Sequence, residues 1–206
     1  MKKIWNLFVA LLLCNAAEAQ YGFDITKDQN TGQTMYVGRC TFDDLNDEAS
    51  FSWLTTASNA YNPDPLVVEE LKKNLPSCNL IIFMGTWCED TQNLLPKLYK
   101  TMLLAHCFTN YKMYAVDRNK LSKENEQQAY GVTMVPTIIV TKNGKELGRI
   151  VENAKTTVEA DLLRISESEG KPMQMTTPAS HVKTGVEPNA KKQGAEDEEA
   201  DEKDED

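Results

Sequence analysis

Residues 79–84 (NLIIFM) form a short apolar run with five apolar residues in six, and GTWCEDT at residues 85–91 follows directly. A run this short, held between Pro76 and Gly85, reads as a strand buried on both faces. From Gln92 to about His106 the spacing turns helical. Leu94, Leu95, Leu98, Met102 and Ala105 share one side, Lys97 and Lys100 face out, and Pro96 is expected to kink the helix about one turn in. A buried strand feeding a helix confines the chain to α/β layering. It also sets Cys88 at the helix mouth, where unpaired N–H groups and a partial positive charge gather. Such surroundings make thiols reactive. Three residues further on, where a dithiol site would carry its second cysteine, stands Thr91.

The other elements follow in order. Residues 20–34 are polar and rich in turn formers, and read as a flexible lead-in. Residues 35–37 have strand character, and Thr41 offers an N-cap to a short helix over residues 42–47. A half-buried helix is expected over residues 51–61, with Trp53 packed into the core. Asp64-Pro65 starts another helix, whose apolar side would hold Leu66, Val67, Leu71 and Leu75 until Pro76 stops it. A second strand is read at 110–117, a polar surface helix at 121–130 and a third strand at 137–141. Asn143-Gly144 signals a hairpin back through 146–151, and a final helix covers 156–166. This alternation implies a parallel core with right-handed crossovers and one antiparallel edge.

Charge and export bound the function. The formal net charge is −9, but the last twelve residues hold nine acids and one lysine, so the rest is nearly neutral. No basic patch points to nucleic acid, and an acidic tail would repel it. Residues 1–19 read as a cleaved signal peptide: Lys2 and Lys3, a short apolar core, then Ala17-Glu18-Ala19. That core is too short for a transmembrane anchor, so a periplasmic or secreted location is expected. A lipid-modified Cys14 is the lesser alternative, because Leu13 stands where a small residue is usual. Removal of the signal leaves Cys40, Cys78, Cys88 and Cys107. No Cys/His spacing resembles a zinc site, so no metal and no cofactor is expected, and His106 and His181 read as surface residues.

Two stretches, IIFMGTWCEDT and GVTMVPTIIVTKNGKELGRIVE, joined by VDRN at residues 116–119, resemble the thioredoxin family. The resemblance spans residues 35–169 and implies a thioredoxin-like α/β fold, a central mixed sheet flanked by helices with an N-terminal helical extension. Residues 170–206 are expected to be a disordered acidic tail. The resemblance implies that Cys88 is the nucleophile, Trp87 the aromatic residue before it, and Val135-Pro136 the cis-proline loop that holds a substrate strand. It also marks departures. Thr91 replaces the resolving cysteine, Ile82 stands where the family often has a buried carboxylate, and Met113 where it often has a lysine. Trp-Cys-x-Asp-Thr is similar to a variant in secreted thioredoxin-like proteins of Bacteroidetes.

Chemically, Thr91 could bond the Cys88 sulfur, and Asp90 could cap the helix or accept a proton locally. From strand and helix rise, Cys78 and Cys107 lie at the pole opposite Cys88, roughly 30 Å back along the strand and roughly 25 Å along the helix. A structural disulfide between them is expected, with two buried free thiols as the alternative. Cys40 is either a buried strand cysteine or a distant partner for Cys88. The leading expectation is an exported thiol–disulfide oxidoreductase with a single nucleophile, protein thiol or disulfide clients and an external thiol reductant. The alternative is a redox-inactive thioredoxin-like binding or chaperone-like module.

Overall fold

The computed structural model describes residues 22–108 and 110–173. Residues 1–19, where a signal peptide is expected, with Cys14, and also His181 and the acidic run, lie outside them. The strands are β1 (Phe23–Lys27), β2 (Thr34–Cys40), β3 (Asn79–Met84), β4 (Tyr111–Ala115), β5 (Thr137–Lys142), β6 (Lys145–Val151) and β7 (Lys171–Pro172). They form one sheet in the order β1-β2-β4-β3-β5-β6-β7. The helices are α1 (Phe42–Asp47), α2 (Trp53–Ala60), α3 (Pro65–Asn74), α4 (Glu89–Leu104), α5 (Glu126–Ala129) and α6 (Val158–Ser166).

Strand alternation divides the core. Leu80, Ile82 and Met84 of β3 face a large cluster with Leu71 of α3, Leu94, Leu95, Leu98 and Met102 of α4, and Leu162 and Ile165 of α6. Ile81 and Phe83 face a smaller cluster of Tyr114, Val116, Val132, Val135 and Ile139. The Trp87 and Cys88 side chains pack on this second cluster. It is therefore the core that carries the candidate site.

Local chemistry sets the helix ends. Thr41 and Asp44 form a reciprocal capping box at α1. Asp64 accepts from Leu66 N and Pro65 occupies the first turn of α3. The buried stripe of α3 runs through Val68, Leu71 and Leu75, while Leu66 is 77% exposed. Helical spacing alone had placed Leu66 on the inner side. Docking of α3 turns the stripe by one residue instead.

Four expectations are corrected. Residues 23–27 of the lead-in are strand β1, paired antiparallel with β2. At the other end Lys171 and Pro172 pair with β6, so the ordered sheet runs past residue 169. Only β3 and β4 are parallel; β5 runs antiparallel to β3. The link from β4 to β5 holds one four-residue helix, too short to carry the chain back for a second parallel strand. The helix expected over 121–130 shrinks to that piece because side chains take the backbone's partners. Asp117 accepts from Leu121 N, Ser122 donates to Glu126 and Gln127, and Asn125 is left-handed at φ 58°.

Cys78 and Cys107 are buried free thiols, not a bridge. Cys78 Sγ donates to Asn74 O at 3.7 Å and Cys107 Sγ to Met102 O at 3.6 Å. Each thiol is thus turned to a carbonyl about one helical turn back along the chain, which leaves the expected disulfide unformed. Burial raises both thiols, Cys107 to about 12 with Cys78 adding to the effect.

A buried carboxylate ties α6 to the α2–α3 corner. Tyr61 Oη donates to Glu159 Oε2 at 2.6 Å and Asp64 N to Oε1 at 3.2 Å, while Glu159 is 2% exposed. Burial alone would raise this carboxyl, but the hydrogen bonds outweigh it and hold it below its ordinary value. Tyr61→Phe leaves that oxygen without its hydroxyl donor and is expected to cost about 1–3 kcal/mol at neutral pH. The folded-state value is depressed, so the carboxylate stabilises the fold above the unfolded value of about 4.3. That contribution fades as pH falls through the folded value. Denaturant melts at pH 7 and pH 3 should therefore show a smaller wild-type-to-variant gap in acid.

Candidate functional site

The site begins where β3 ends. Gly85, Thr86 and Trp87 turn the chain, and Cys88 is the N-cap residue of α4, with no side-chain cap bond of its own. The 16 residues of α4 run on through the buried Pro96. Cys88 is half-buried, and its Sγ donates to Val135 O at 3.5 Å. The Val135–Pro136 peptide is cis, and both residues are buried. The loop before β5 thus lies against the sulfur. Trp87, Cys88, Val135 and Pro136 come together.

Thr91 takes a different part from the one its position suggested. Its side chain is fully buried, and its Oγ1 accepts from Gly85 N at 3.2 Å. The hydroxyl ties the first turn of α4 to the end of β3 instead of turning to the sulfur. Gln92 Nε2 adds a bond to Thr86 O at 2.9 Å, and Thr86 Oγ1 accepts from Tyr36 N of β2. The strand–helix junction is therefore fixed from three sides. Asp90 sits half-buried and Glu89 exposed in that first turn, where acidic side chains suit the helix dipole.

Beneath the junction the polar pair that the family resemblance implied is absent. Ile82 and Met113 stand opposite each other across β3 and β4, and both are fully buried. No carboxylate or amine at these positions can move a proton to or from Cys88. Among the described residues no three His, Cys, Asp or Glu side chains group as metal ligands.

Two residues that the sequence did not single out complete the site. The Trp87 indole donates to Val116 O at 2.9 Å. A Cβ on Gly85 would lie 2.7 Å from Trp87 Cε2, so glycine is what lets the ring lie flat there. The Arg118 guanidinium covers that ring at 4.8 Å from the centroid. Arg118 is held in turn by Asp28, with Nε 3.0 Å from Oδ1 and Nη2 2.6 Å from Oδ2. Asn30 N and Thr31 Oγ1 also donate to Asp28. The bond from Arg118 holds the Asp28 carboxyl well below the usual carboxylate range. Arg118 belongs to the VDRN stretch, and Asp28 stands in the β1–β2 turn, so only that hairpin brings the two together.

The Thioredoxin family model matches residues 66–164, which span β3, the Cys88 helix, the Val135–Pro136 loop and the β5–β6 hairpin. Residues 66–164 are a thioredoxin-like domain. A thioredoxin of Echinococcus granulosus is 36% identical to this chain over 69 residues, 34% of this chain and 60% of the relative. The chain thus spans less than two thirds of the length of that curated relative. Among solved structures, an HIV epitope scaffold is similar at a TM-score of 0.48 and 15% identity, over 63% of this chain and 92% of that one. A Pseudomonas aeruginosa protein of unknown function is similar at a TM-score of 0.45 and 15% identity, over 63% and 91%. No helix of the described residues is long and apolar enough to cross a membrane.

Proposed function

We propose that this is an exported thiol–disulfide oxidoreductase that works through Cys88 alone. One observation carries the reading: the sulfur is half-exposed at the mouth of a long helix and lies 3.5 Å from Val135 O in the facing loop. The thiolate attacks a client disulfide. A new bond joins Cys88 to one client sulfur, the old S–S bond breaks, and the second client sulfur leaves as a thiolate that takes a proton from water. Thr91 offers no thiol for the return step. An external low-molecular-weight thiol must attack the client sulfur of the mixed disulfide, releasing Cys88 and leaving the client joined to the reductant. A second molecule of that thiol then frees the client and is oxidised with the first. Val135 lines the place where an extended client segment would lie.

A second reading is a binding or chaperone-like module without turnover. The Thr91 hydroxyl, given over to Gly85 N, and the apolar Ile82–Met113 pair favour it. The two readings part in one experiment. The mature protein and Cys88→Ser are given a disulfide client with external thiol, and both reduction and client capture are measured. The enzyme reading expects reduction and a trappable mixed disulfide from the wild type, and complete loss of both in Cys88→Ser. Equal client binding by the two proteins, with no reduction, sinks the enzyme reading and supports the module. In the same samples Cys88 should be the thiol alkylated in the native state. Cys40, Cys78 and Cys107 are buried and raised by that burial, so they react only after unfolding.

A further inference from the structure

The ion pair beside Trp87 has an outside and an inside. The Asp28 side chain is 1% exposed, whereas that of Arg118 is 38% exposed. Anything approaching from solvent meets the guanidinium before the carboxylate. The three hydrogen bonds to Asp28 use Nε and Nη2, so the pair itself leaves the Nη1 end of the fork unused. The group is also immobilised twice, by the carboxylate along one edge and by the Trp87 ring beneath it. A cation held this way needs no further ordering when it meets an anion, which keeps the entropic cost of binding low. Trp87 is the residue before Cys88, so this fixed charge covers the immediate neighbour of the cysteine.

Asp24 and Asp117 line the same small cavity as Arg118, and Asp24 is paired there with Lys123. The Asp117 carboxylate accepts from Leu121 N at 2.8 Å and Asn119 Nδ2 at 3.4 Å. Glu89 and Asp90 lie on the first turn of α4. Cys88 therefore sits between an acidic helix turn and one basic flank, and a partner's charge decides which side it prefers.

We propose that Arg118 is a specificity residue for Cys88, receiving a carboxylate carried next to the reacting sulfur of the partner. The partner class is a disulfide or thiol with an adjacent carboxylate, whether a small acid thiol or an acidic client segment. This rests on the disulfide-exchange reading above. Arg118 is raised chiefly by its hydrogen bond to Asp28, with the charge of Cys88 the least of the causes. Asp28 acts through Arg118, as a positioning residue that fixes the guanidinium over Trp87.

Charge-matched reagents test this on the full chain. Iodoacetate and iodoacetamide alkylate Cys88 by the same displacement: a sulfur–carbon bond forms, the carbon–iodine bond breaks, and iodide leaves with the electron pair. Only the reagent charge differs. One fixed charge at roughly 7 Å in a water-like medium changes that rate ratio by about threefold. Arg118→Met is expected to lower the iodoacetate-to-iodoacetamide ratio by about that factor, and Arg118→Lys to recover part of it. Added salt should move the wild-type ratio toward that of the methionine variant. An unchanged ratio in Arg118→Met overturns the proposal. If that variant does not fold, a wild-type ratio indifferent to salt overturns it as well. Mixed-disulfide formation with dithiodiglycolate against hydroxyethyl disulfide then tells the two readings apart. A preserved alkylation preference without any exchange sinks the oxidoreductase reading and leaves the charge selection standing. Exchange that proceeds equally with both disulfides in wild type and Arg118→Met removes Arg118 from partner choice and leaves the oxidoreductase reading standing.

Discussion

Thr91→Cys is expected to free Cys88 from its need for external thiol in the release step and to raise client reduction at limiting thiol by about tenfold or more. Cys88 is the N-cap residue of α4 and Thr91 is the third residue of its first turn. Those two positions put their side chains within reach of one another, as capping boxes show, and Cβ atoms so spaced lie roughly 5–6 Å apart or closer. A disulfide needs Cβ atoms roughly 3.5–4.5 Å apart, so the pair closes by roughly 1 Å to form the bridge. An internal thiol has an effective concentration of millimolar or above, whereas the external one acts at whatever level is supplied. The substitution also weakens the acceptor that Thr91 offers to Gly85 N, at a cost of about 1 kcal/mol in stability. The measurement is client reduction against external thiol concentration, beside a mass determination of the oxidised variant. Unchanged dependence on external thiol, with no intramolecular bridge by mass, would show that the side chain at 91 does not reach the sulfur.

The largest structural effect is expected at Phe83. Its side chain is fully buried, stacked on Tyr114 with centroids 5.1 Å apart and tilted against Tyr130 at 5.6 Å. Phe83→Ala removes a ring from the smaller cluster, on which Trp87, Cys88 and Val135 all rest. The lost burial and the remaining cavity cost about 3–5 kcal/mol, a large share of the roughly 5–15 kcal/mol that holds such a domain together. Because that cluster underlies the site, alkylation of Cys88 should change along with the denaturant midpoint. Leu66→Ala is the control. Its side chain is 77% exposed, so the midpoint should move by less than about 0.5 kcal/mol equivalent. A small change in Phe83→Ala would mean that the site does not depend on this cluster.

These expectations mix what could be read along the chain with what could not. The strand at 79–84, the helix after Cys88, the Asn143-Gly144 turn and the Val135-Pro136 approach to the strand were legible. Each is written in local periodicity or in residues that restrict the backbone. The α3 stripe was off by one residue at Leu66, because spacing fixes a helical face only to within a residue or so and docking chooses. Strand β1 was missed for a related reason. Residues 23–27 mix polar and apolar side chains with no buried stripe, and what makes them a strand is pairing with β2. The disulfide expected from the shared pole of Cys78 and Cys107 did not follow. A common pole says nothing of where two sulfurs point, and both are turned to carbonyls.

The candidate site divides along the same line. Sequence alone put a single cysteine at the mouth of a helix, withheld the second thiol by writing threonine at 91, and left apolar residues at 82 and 113. Those are matters of residue identity, and no fold can add a thiol or a carboxylate that the chain lacks. Tertiary structure decided how the remaining groups bear on the sulfur. It turned the Thr91 hydroxyl to Gly85 N, laid Val135 O 3.5 Å from Sγ, and brought Asp28 across ninety residues to clamp Arg118 over Trp87. Hydrogen bonds and stacking between residues far apart in sequence leave no local period to read, because their energy depends on distance and orientation in space and not on separation along the chain.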